Sequence, residues 1–225
     1  MKVKVRAVIF DFGHVLSLPP PPEELAWLRE RCGLAAEEFA RAFHELRPEL
    51  DRGTLPIAEY WAAMLRRGGR TGSAELLASL GEHDLAAWTH PNPAVLRWAE
   101  ELRRGGWATA ILSNMPPEFL PFLAEHFPEA SRFSPAVFSC MEGLIKPEPG
   151  IFQRCLERLA MQARETLFLD DTAVNVESAR QLGLNALQFR SVEDCARELE
   201  EGFELPPLKP VPPRLPLGRP AEVPG

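Results

Sequence analysis

Apolar residues along this chain follow two patterns, and one gives way to the other near residue 90. Short runs that are apolar at almost every position are typical of strands buried on both faces of a sheet. From residue 93 onward, such runs alternate with stretches in which apolar residues recur every three or four positions, which predicts helices. The predicted strands are 5–10, 107–112, 136–139, 166–169 and 186–189.

This alternation predicts an α/β fold, a Rossmann-like parallel sheet core with helices on both faces. Asn92-Pro93 combines a helix cap with proline at the first helical position, and Gly105-Gly106 ends that helix. Ser191 and Asp194 have the spacing of a capping box. The predicted helices of the core are 94–104, one that opens at Pro116-Pro117, 149–159, 173–182 and 191–201.

The region between residues 18 and 90 has helical periodicity and no strand pattern. Four consecutive prolines, 19–22, form a stiff extended connector at its start. The predicted helices of this region are 23–32, 35–46, 56–67 and 74–80. We therefore predict an all-helical insert at 18–90, with the α/β core formed by 1–17 and 91–203. Four aromatic residues at helical spacing are interpreted as the core of the insert: Phe39, Phe43, Tyr60 and Trp61.

Residues 204–225 differ from the rest of the chain in composition. This segment holds eight prolines and almost no hydrophobic periodicity. Such a composition is typical of an extended or disordered tail that lies in solvent. We therefore expect it to be dispensable for folding and for chemistry.

Composition and charge exclude several classes of partner. The 225 residues are 45% hydrophobic, enough for a full core, and the net charge of −7 gives no basic surface for nucleic acid. No apolar run approaches membrane-spanning length, so we expect no membrane partner. The four cysteines, which are far apart, match neither a metal nor a disulfide pattern. Without a secretory signal at the N-terminus, a cytoplasmic location is expected. The sequence does not specify an oligomeric state.

Polar residues follow the predicted strands. Asp11 ends the first strand, Ser113-Asn114 the second and Asp170-Asp171 the fourth, while Lys146 lies in the loop after the third. Because parallel strands bring their carboxyl ends to one edge of the sheet, we expect these residues to meet there. Three of the chain's six aspartates and its only lysine outside the terminal segments would then lie together.

This set of residue types indicates phosphate chemistry. Clustered carboxylates repel one another unless a cation joins them, and such oxygen ligands suit Mg²⁺, which also bridges to phosphate. The charge of Lys146 and the N–H groups near Ser113-Asn114 would attract phosphate oxygens. A carboxylate nucleophile divides phosphoryl transfer into two easier steps.

Four segments in this order resemble the haloacid dehalogenase superfamily of hydrolases, in its branch with a helical cap inserted after the first strand. The resemblance covers residues 5–201. Two further pieces, Val15-Leu16 and Asp51-Arg52-Gly53, are similar to small sugar-phosphate phosphatases of this superfamily and to the phosphatase domain of soluble epoxide hydrolases. The four segments are Val8–Gly13, Ile111–Asn114, Lys146-Pro147 and Phe168–Asp171 with Asn175.

The resemblance implies a role for each residue at the nucleophile and the metal. Asp11 would be the nucleophile and a ligand of Mg²⁺. Gly13 would offer its backbone carbonyl to the same ion, and Asp171 would supply the second carboxylate. Asp170 would support this set or join it through water.

The resemblance also implies how the substrate is held. Ser113 and Asn114 would bind the phosphate of a small phosphorylated substrate, and Lys146 would stabilise both the phosphate and the aspartyl phosphate. Asn175 would orient Lys146 or the carboxylates. Asp51-Arg52 is interpreted equally well as a surface turn or as a substrate contact.

One position departs from the family pattern. Most phosphatases of the superfamily have a second aspartate, the general acid and base, two residues after the nucleophile, where this chain has Gly13. Such help is worth roughly 10²–10⁴ in rate. His14 is the nearest substitute. The leading interpretation is a Mg²⁺-dependent phosphatase of a small metabolite, a sugar phosphate among the candidates. The alternatives are a metal-independent 2-haloacid dehalogenase and a catalytically weak binding protein.

Overall fold

The computed structural model of the chain describes residues 2–210 and contains one five-stranded sheet. All neighbouring strands are parallel, in the order β3-β2-β1-β4-β5, and the predicted α/β fold is confirmed. The strands are β1 (Ala7–Phe10), β2 (Ala108–Ser113), β3 (Ala136–Phe138), β4 (Thr166–Asp170) and β5 (Asn185–Gln188).

Strand β1 is central, and its neighbours determine which residues meet at the edge of the sheet. Phe10, its last residue, pairs with Ile111 of β2 and with Leu169 of β4. The residues that follow these positions, including Asp11 and Asp170, therefore emerge side by side at the carboxyl end of the sheet. From β1 the chain runs to β2 and β3 on one side, and it then crosses to β4 and β5 on the other side. Open α/β sheets bind their ligands where the strand order reverses in this way.

The insert after β1 forms a helical domain, which we call the cap. Its helices are α1 (Pro22–Cys32), α2 (Ala36–Arg52), α3 (Ile57–Arg67) and α4 (Ala74–Ala87). The four predicted aromatic residues are buried in the cap's own hydrophobic core, and Phe43 also borders a cavity towards the α/β core. Helix α2 continues past its predicted end through Pro48, because Leu50 and Asp51 are buried at its far end and this burial outweighs the cost of the proline.

The remaining helices cover both faces of the sheet. Helices α5, α6 and α10 pack on the face that presents Val8 and Phe10, while α8 and α9 pack on the face that presents Ala7 and Ile9. A short helix after β3, α7, was not predicted. These helices are α5 (Pro93–Arg104), α6 (Phe119–His126), α7 (Ser139–Glu142), α8 (Pro149–Leu159), α9 (Ala173–Gln181) and α10 (Val192–Gly202).

The expectation of a solvated tail is wrong for its first residues, 204–210, which lie extended along the α/β core. Trp98 donates a hydrogen bond from Nε1 to the carbonyl oxygen of Pro206 at 2.8 Å, and Leu208 is 3% exposed. Apolar burial of one leucine and one hydrogen bond are enough to dock a segment that has no periodicity of its own. The rest of the predicted tail, 211–225, lies outside the described residues.

Within residues 2–210, none of the helices combines the length and the apolar character needed to cross a bilayer.

Docking of this segment predicts that Leu208→Ala lowers the free energy of unfolding by about 2–3 kcal/mol, because the truncation removes a buried side chain. The matched control is Lys209→Ala. This neighbour is exposed, so its truncation should change the free energy of unfolding by less than about 0.5 kcal/mol. Urea denaturation of both variants measures the difference. Equal stability of the two variants would contradict docking of the segment.

Candidate active site

Asp11 follows β1 directly and is almost completely buried. Its Oδ1 atom accepts hydrogen bonds from the backbone N–H of Phe12 and from Nζ of Lys146, each at 2.7 Å. Among the described residues, no donor reaches Oδ2 of Asp11. The two oxygens of this carboxylate therefore differ: one is fixed by the protein and the other is available for a reaction.

Lys146 is the one cation among the carboxylates at this edge, and it is 4% exposed. Its Nζ lies 2.7 Å from Asp11 Oδ1 and 2.6 Å from Asp170 Oδ2. Burial alone would lower the pKa of Lys146, but the two carboxylates reverse this effect and raise it. The lysine therefore carries its charge into a buried position.

Asp170 ends β4 and is fully buried. Besides Lys146, it accepts hydrogen bonds from Asn175 Nδ2, 3.1 Å from both oxygens, and from the backbone N–H of Thr172 at 2.8 Å. Asn175 thus orients Asp170, and Asp170 in turn fixes Lys146. The sequence expectation that Asn175 orients this group agrees with the contacts it makes.

The side chain of Asn114 holds the backbone of the lysine. Its Oδ1 accepts the N–H of Lys146 at 2.8 Å, and its Nδ2 donates to the carbonyl of Lys146 at 3.0 Å. The side-chain amide is therefore engaged with the loop, and the expected phosphate contact of Asn114 through its backbone N–H stays a prediction. Ser113 is buried and borders the same cavity, with Oγ 3.4 Å from the carbonyl of Asn114.

His14 lies against the second aspartate of the pair. Its Nδ1 is 2.8 Å from Oδ2 of Asp171, and its ring stacks on Trp88 at a centroid distance of 5.4 Å. The hydrogen bond to Asp171 raises the pKa of His14, although burial opposes this effect. Burial alone would raise the pKa of Asp171, but His14 lowers it. These contacts hold His14 in the left-handed region, at φ 60°, which a non-glycine residue rarely adopts.

Gly13 has φ −61° and ψ 135°, values that any residue adopts. Backbone conformation therefore does not require glycine here. A Cβ atom at this position would lie 3.2 Å from Cζ3 of Trp88, closer than an ordinary contact. The cap ring thus occupies the place towards which the usual second aspartate would extend.

The charges at this edge fit a divalent cation. Asp11, Asp170 and Asp171 each offer a carboxylate oxygen within 4.8 Å of the others; Lys146 contacts the first two and His14 contacts the third. Burial raises the pKa of Asp11 to about 7, an effect that Lys146 opposes and Asp170 strengthens. Asp170 is fully buried and engaged by Lys146 and Asn175, so Asp11, the Gly13 carbonyl and Asp171, which would exchange its contact with His14 for the metal, are the oxygen donors that could hold Mg²⁺.

A cavity of about 490 Å³ separates these residues from the cap. Eight of the predicted site residues line this cavity from the core: Asp11, Gly13, His14, Ser113, Asn114, Lys146, Asp171 and Asn175. Asp170, fully buried behind Lys146, does not. The expected residues therefore come together around the end of β1.

The cap contributes residues that sequence reasoning missed. Arg47 of α2 lines the cavity and forms ion pairs with Asp51 at 3.1 Å and Asp84 at 3.0 Å. Trp88 donates from Nε1 to Asp84 at 3.3 Å. Asp51 is thus a buried member of an ion cluster, and the interpretation as a surface turn is wrong. The scarcity of aspartate was the signal that could have identified Asp84.

Arg52, the next residue, joins the cap to the loop that carries Lys146. Its guanidinium binds the carboxylate of Glu148 at 2.6 and 3.1 Å and donates to the carbonyl of Gly143 at 2.9 Å. Glu148 also accepts the backbone N–H of Ile145 at 3.1 Å. The end of α2 therefore contacts the chain on both sides of Lys146.

Three curated relatives share sequence with most of this chain. Acyl-CoA dehydrogenase family member 10 of Mus musculus is 29% identical, over 89% of this chain and 19% of its own length. Bifunctional epoxide hydrolase 2 of Rattus norvegicus is 30% identical, over 88% of this chain and 38% of its own length. The chain thus spans less than half of these two relatives. Sesquiterpene phosphatase astK of Aspergillus oryzae is 25% identical over 87% of this chain and 95% of its own length.

Two solved structures share the fold. A family enzyme from Bacteroides thetaiotaomicron, in complex with magnesium and inorganic phosphate, has a TM-score of 0.63 and 20% identity, covering 82% of this chain and 93% of its own. L-2-haloacid dehalogenase from Xanthobacter autotrophicus has a TM-score of 0.62 and 22% identity, covering 90% of this chain and 85% of its own.

The sequence of residues 5–183 matches the model of the haloacid dehalogenase-like hydrolase family. This match covers most of the chain, and the sheet order and inserted cap agree with the resemblance seen in the sequence. The chain belongs to the haloacid dehalogenase-like hydrolase family and is a hydrolase.

Proposed function

We propose that this hydrolase is a Mg²⁺-dependent phosphatase that hydrolyses a small phosphate monoester through an aspartyl phosphate on Asp11. One observation carries the proposal: three carboxylates lie within 4.8 Å of one another, with a single buried lysine between two of them. This arrangement combines a nucleophile with an unbalanced negative charge, which requires a further cation beside an anionic substrate.

In the first step, Oδ2 of Asp11 attacks phosphorus, and the bond between phosphorus and the ester oxygen breaks. Oδ2 is the suitable atom because Oδ1 is engaged by Phe12 and Lys146. The leaving alcohol takes its proton from water. Lys146, fixed beside Asp11, stabilises the negative charge that builds up on the phosphoryl oxygens.

In the second step, water attacks the phosphorus of the aspartyl phosphate, releasing inorganic phosphate and restoring the carboxylate of Asp11. Lys146 stays in place for both steps because Asp170 and the amide of Asn114 hold its side chain and backbone. Ser113 borders the same space and contributes its hydroxyl to the phosphate.

Mg²⁺ would be held by Asp11, Asp171 and the backbone carbonyl of Gly13. When bound, it supplies positive charge between the nucleophile and the phosphate. The Bacteroides thetaiotaomicron structure, described with magnesium and inorganic phosphate, supports this assignment. The sesquiterpene phosphatase of Aspergillus oryzae supports phosphatase chemistry in the same family.

A 2-haloacid dehalogenase is the second candidate, because that chemistry also uses an aspartate and a lysine and also lacks the second aspartate. The structural likeness to the Xanthobacter autotrophicus enzyme is the reason to test this candidate. The acidic pair Asp170-Asp171 beside Asp11 argues against it, since clustered carboxylates favour a metal ion that this chemistry does not need.

The covalent mechanism predicts that Asp11→Asn lowers phosphate release from 4-nitrophenyl phosphate by at least about a thousandfold, because an amide is a poor nucleophile. The control is Asp194→Asn, which removes a carboxylate that lies in α10, outside the cavity. This control variant should keep the rate of phosphate release within about twofold of the wild-type rate. Activity that survives in Asp11→Asn would contradict an aspartyl phosphate.

The metal assignment predicts that excess chelator abolishes phosphate release and that added Mg²⁺ restores it. Asp171→Asn should raise the Mg²⁺ concentration needed for half-maximal rate by about tenfold or more, because it removes a ligand charge. Calorimetric titration with Mg²⁺ alone, without substrate, gives an independent measure. Undiminished turnover in chelator, together with halide release from 2-chloropropionate, would instead identify a dehalogenase.

The role of Asn114 as a positioning residue predicts a lower kcat for Asn114→Ala, by about tenfold or more, because Lys146 loses the amide that fixes its backbone. Stability should fall by about 1–3 kcal/mol, since backbone groups lose their partners. Asn185→Ala is the matched control: this asparagine also donates to backbone carbonyls, of Arg164 and Thr166, at the other end of the sheet. Its kcat should not change. Equal kcat for both variants would exclude the positioning role.

A further inference from the structure

The cavity above the proposed phosphate site has a mostly apolar lining. Phe43 and Trp88 from the cap, and Met115, Phe119 and Val174 from the core, form what we call the apolar wall. Met115 and Phe119 are buried, and Val174 is exposed at the rim. Aromatic and aliphatic side chains in such a cavity favour an apolar ligand body.

Arg47, the cap cation that borders the apolar wall, is already paired with carboxylates of the cap. Arg47 pairs with both Asp51 and Asp84, so one positive charge faces two negative ones. This cluster carries a net negative charge and therefore repels a second anionic group on the substrate. The rings of Phe43 and Trp88 lie 5.1 and 5.8 Å from the guanidinium carbon and complete its surroundings.

A polyhydroxylated substrate would fit this surface poorly. Each buried hydroxyl requires a hydrogen-bond partner, and a hydroxyl that lacks one loses roughly five- to a hundredfold in affinity. Both carboxylates of the Arg47 cluster already accept hydrogen bonds, Asp51 from Nε of Arg47 and Asp84 from Nη1 of Arg47 and Nε1 of Trp88. Besides Arg47 and Asp51, the cap contributes one more polar residue to the lining, His44, which is exposed at the edge of the cavity.

Trp88 is a cap residue that reaches the reacting end of the cavity. A Cβ atom at Gly13, two residues after the nucleophile, would lie 3.2 Å from its ring. A leaving group on a phosphate bound near Asp11 therefore has this indole beside it. Its ring is only partly buried and is held by Asp84 and His14.

We propose that the substrate is the phosphate monoester of a neutral, largely apolar alcohol, and that Trp88 is a specificity-determining residue that contacts the leaving group. This inference rests on the proposed phosphatase function. It replaces the sugar phosphate suggested by the sequence with an ester whose body carries few hydroxyl groups.

The test compares aryl phosphates that share a phenolic leaving group and differ only in the tail. The wild-type chain with Mg²⁺ is assayed on 4-propylphenyl phosphate and on 4-(2-hydroxyethyl)phenyl phosphate, which are nearly equal in size. We expect kcat/KM to be at least about tenfold higher for the propyl ester, because each buried methylene contributes about three- to fourfold and a buried hydroxyl is unpaired. Acetyl phosphate is included as a small substrate without an aryl body.

Variants locate the preference. Trp88→Ala should reduce the propyl-to-hydroxyethyl ratio of kcat/KM by about fivefold, and Trp88→Phe, which keeps a ring, should retain most of it. The control Trp27→Ala removes a cap tryptophan that stacks on His83 outside the cavity, and it should keep the wild-type ratio.

The outcomes separate the two proposals. Hydrolysis of acetyl phosphate with equal rates for the two aryl esters, or with a preference for the hydroxyethyl ester, would overturn the apolar substrate and leave the phosphatase standing. An unchanged ratio in folded Trp88→Ala would overturn the role of Trp88. Phosphate release from none of these compounds would overturn the phosphatase and the inference with it.

Discussion

The ion pairs of Lys146 with Asp11 and Asp170 are the interaction on which the rest of this site depends. A buried ammonium group is tolerated only when partners surround it, and removal of one partner leaves an uncompensated charge. The sheet supplies one carboxylate from each of two adjacent strand ends, and the amide of Asn114 fixes the backbone of the lysine between them. The geometry of the nucleophile is therefore a property of the whole sheet edge.

Much of this edge was predictable because it depends on local patterns and on topology. Buried strands, helix signals and the rule that parallel strands bring their carboxyl ends to one edge were enough to predict that Asp11, Lys146 and Asp171 lie together. Contacts between distant segments were not predictable, because nothing in the local pattern specifies them. Arg47 and Trp88 reach the site only through the packing of the cap, and Leu208 docks through contacts that leave no periodicity in the sequence.

Gly13 illustrates how one sequence observation changes meaning once the structure is known. In the sequence it is the absence of a general acid. In the structure its backbone is ordinary, and the ring of Trp88 fills the space beside it. An aspartate at this position would require the indole to shift by a few tenths of an ångström, so the missing acid and the cap tryptophan lie at the same place in the site.

Five of the six aspartates lie in two ion clusters on opposite sides of the cavity, and their electrostatics differ. In the cap, the two carboxylates share a guanidinium that is rigidly held by both, and the cluster lies within a shell of aromatic rings. In the core, Asp11 and Asp170 share the ammonium group of Lys146, Asp171 pairs with His14, and Asp11 keeps an oxygen free. Negative charge that is fully engaged stabilises a fold, whereas negative charge left over at a cavity attracts a cation and, with it, an anionic substrate. The difference in charge between the two clusters thus separates the part of the cavity that does chemistry from the part that recognises the leaving group.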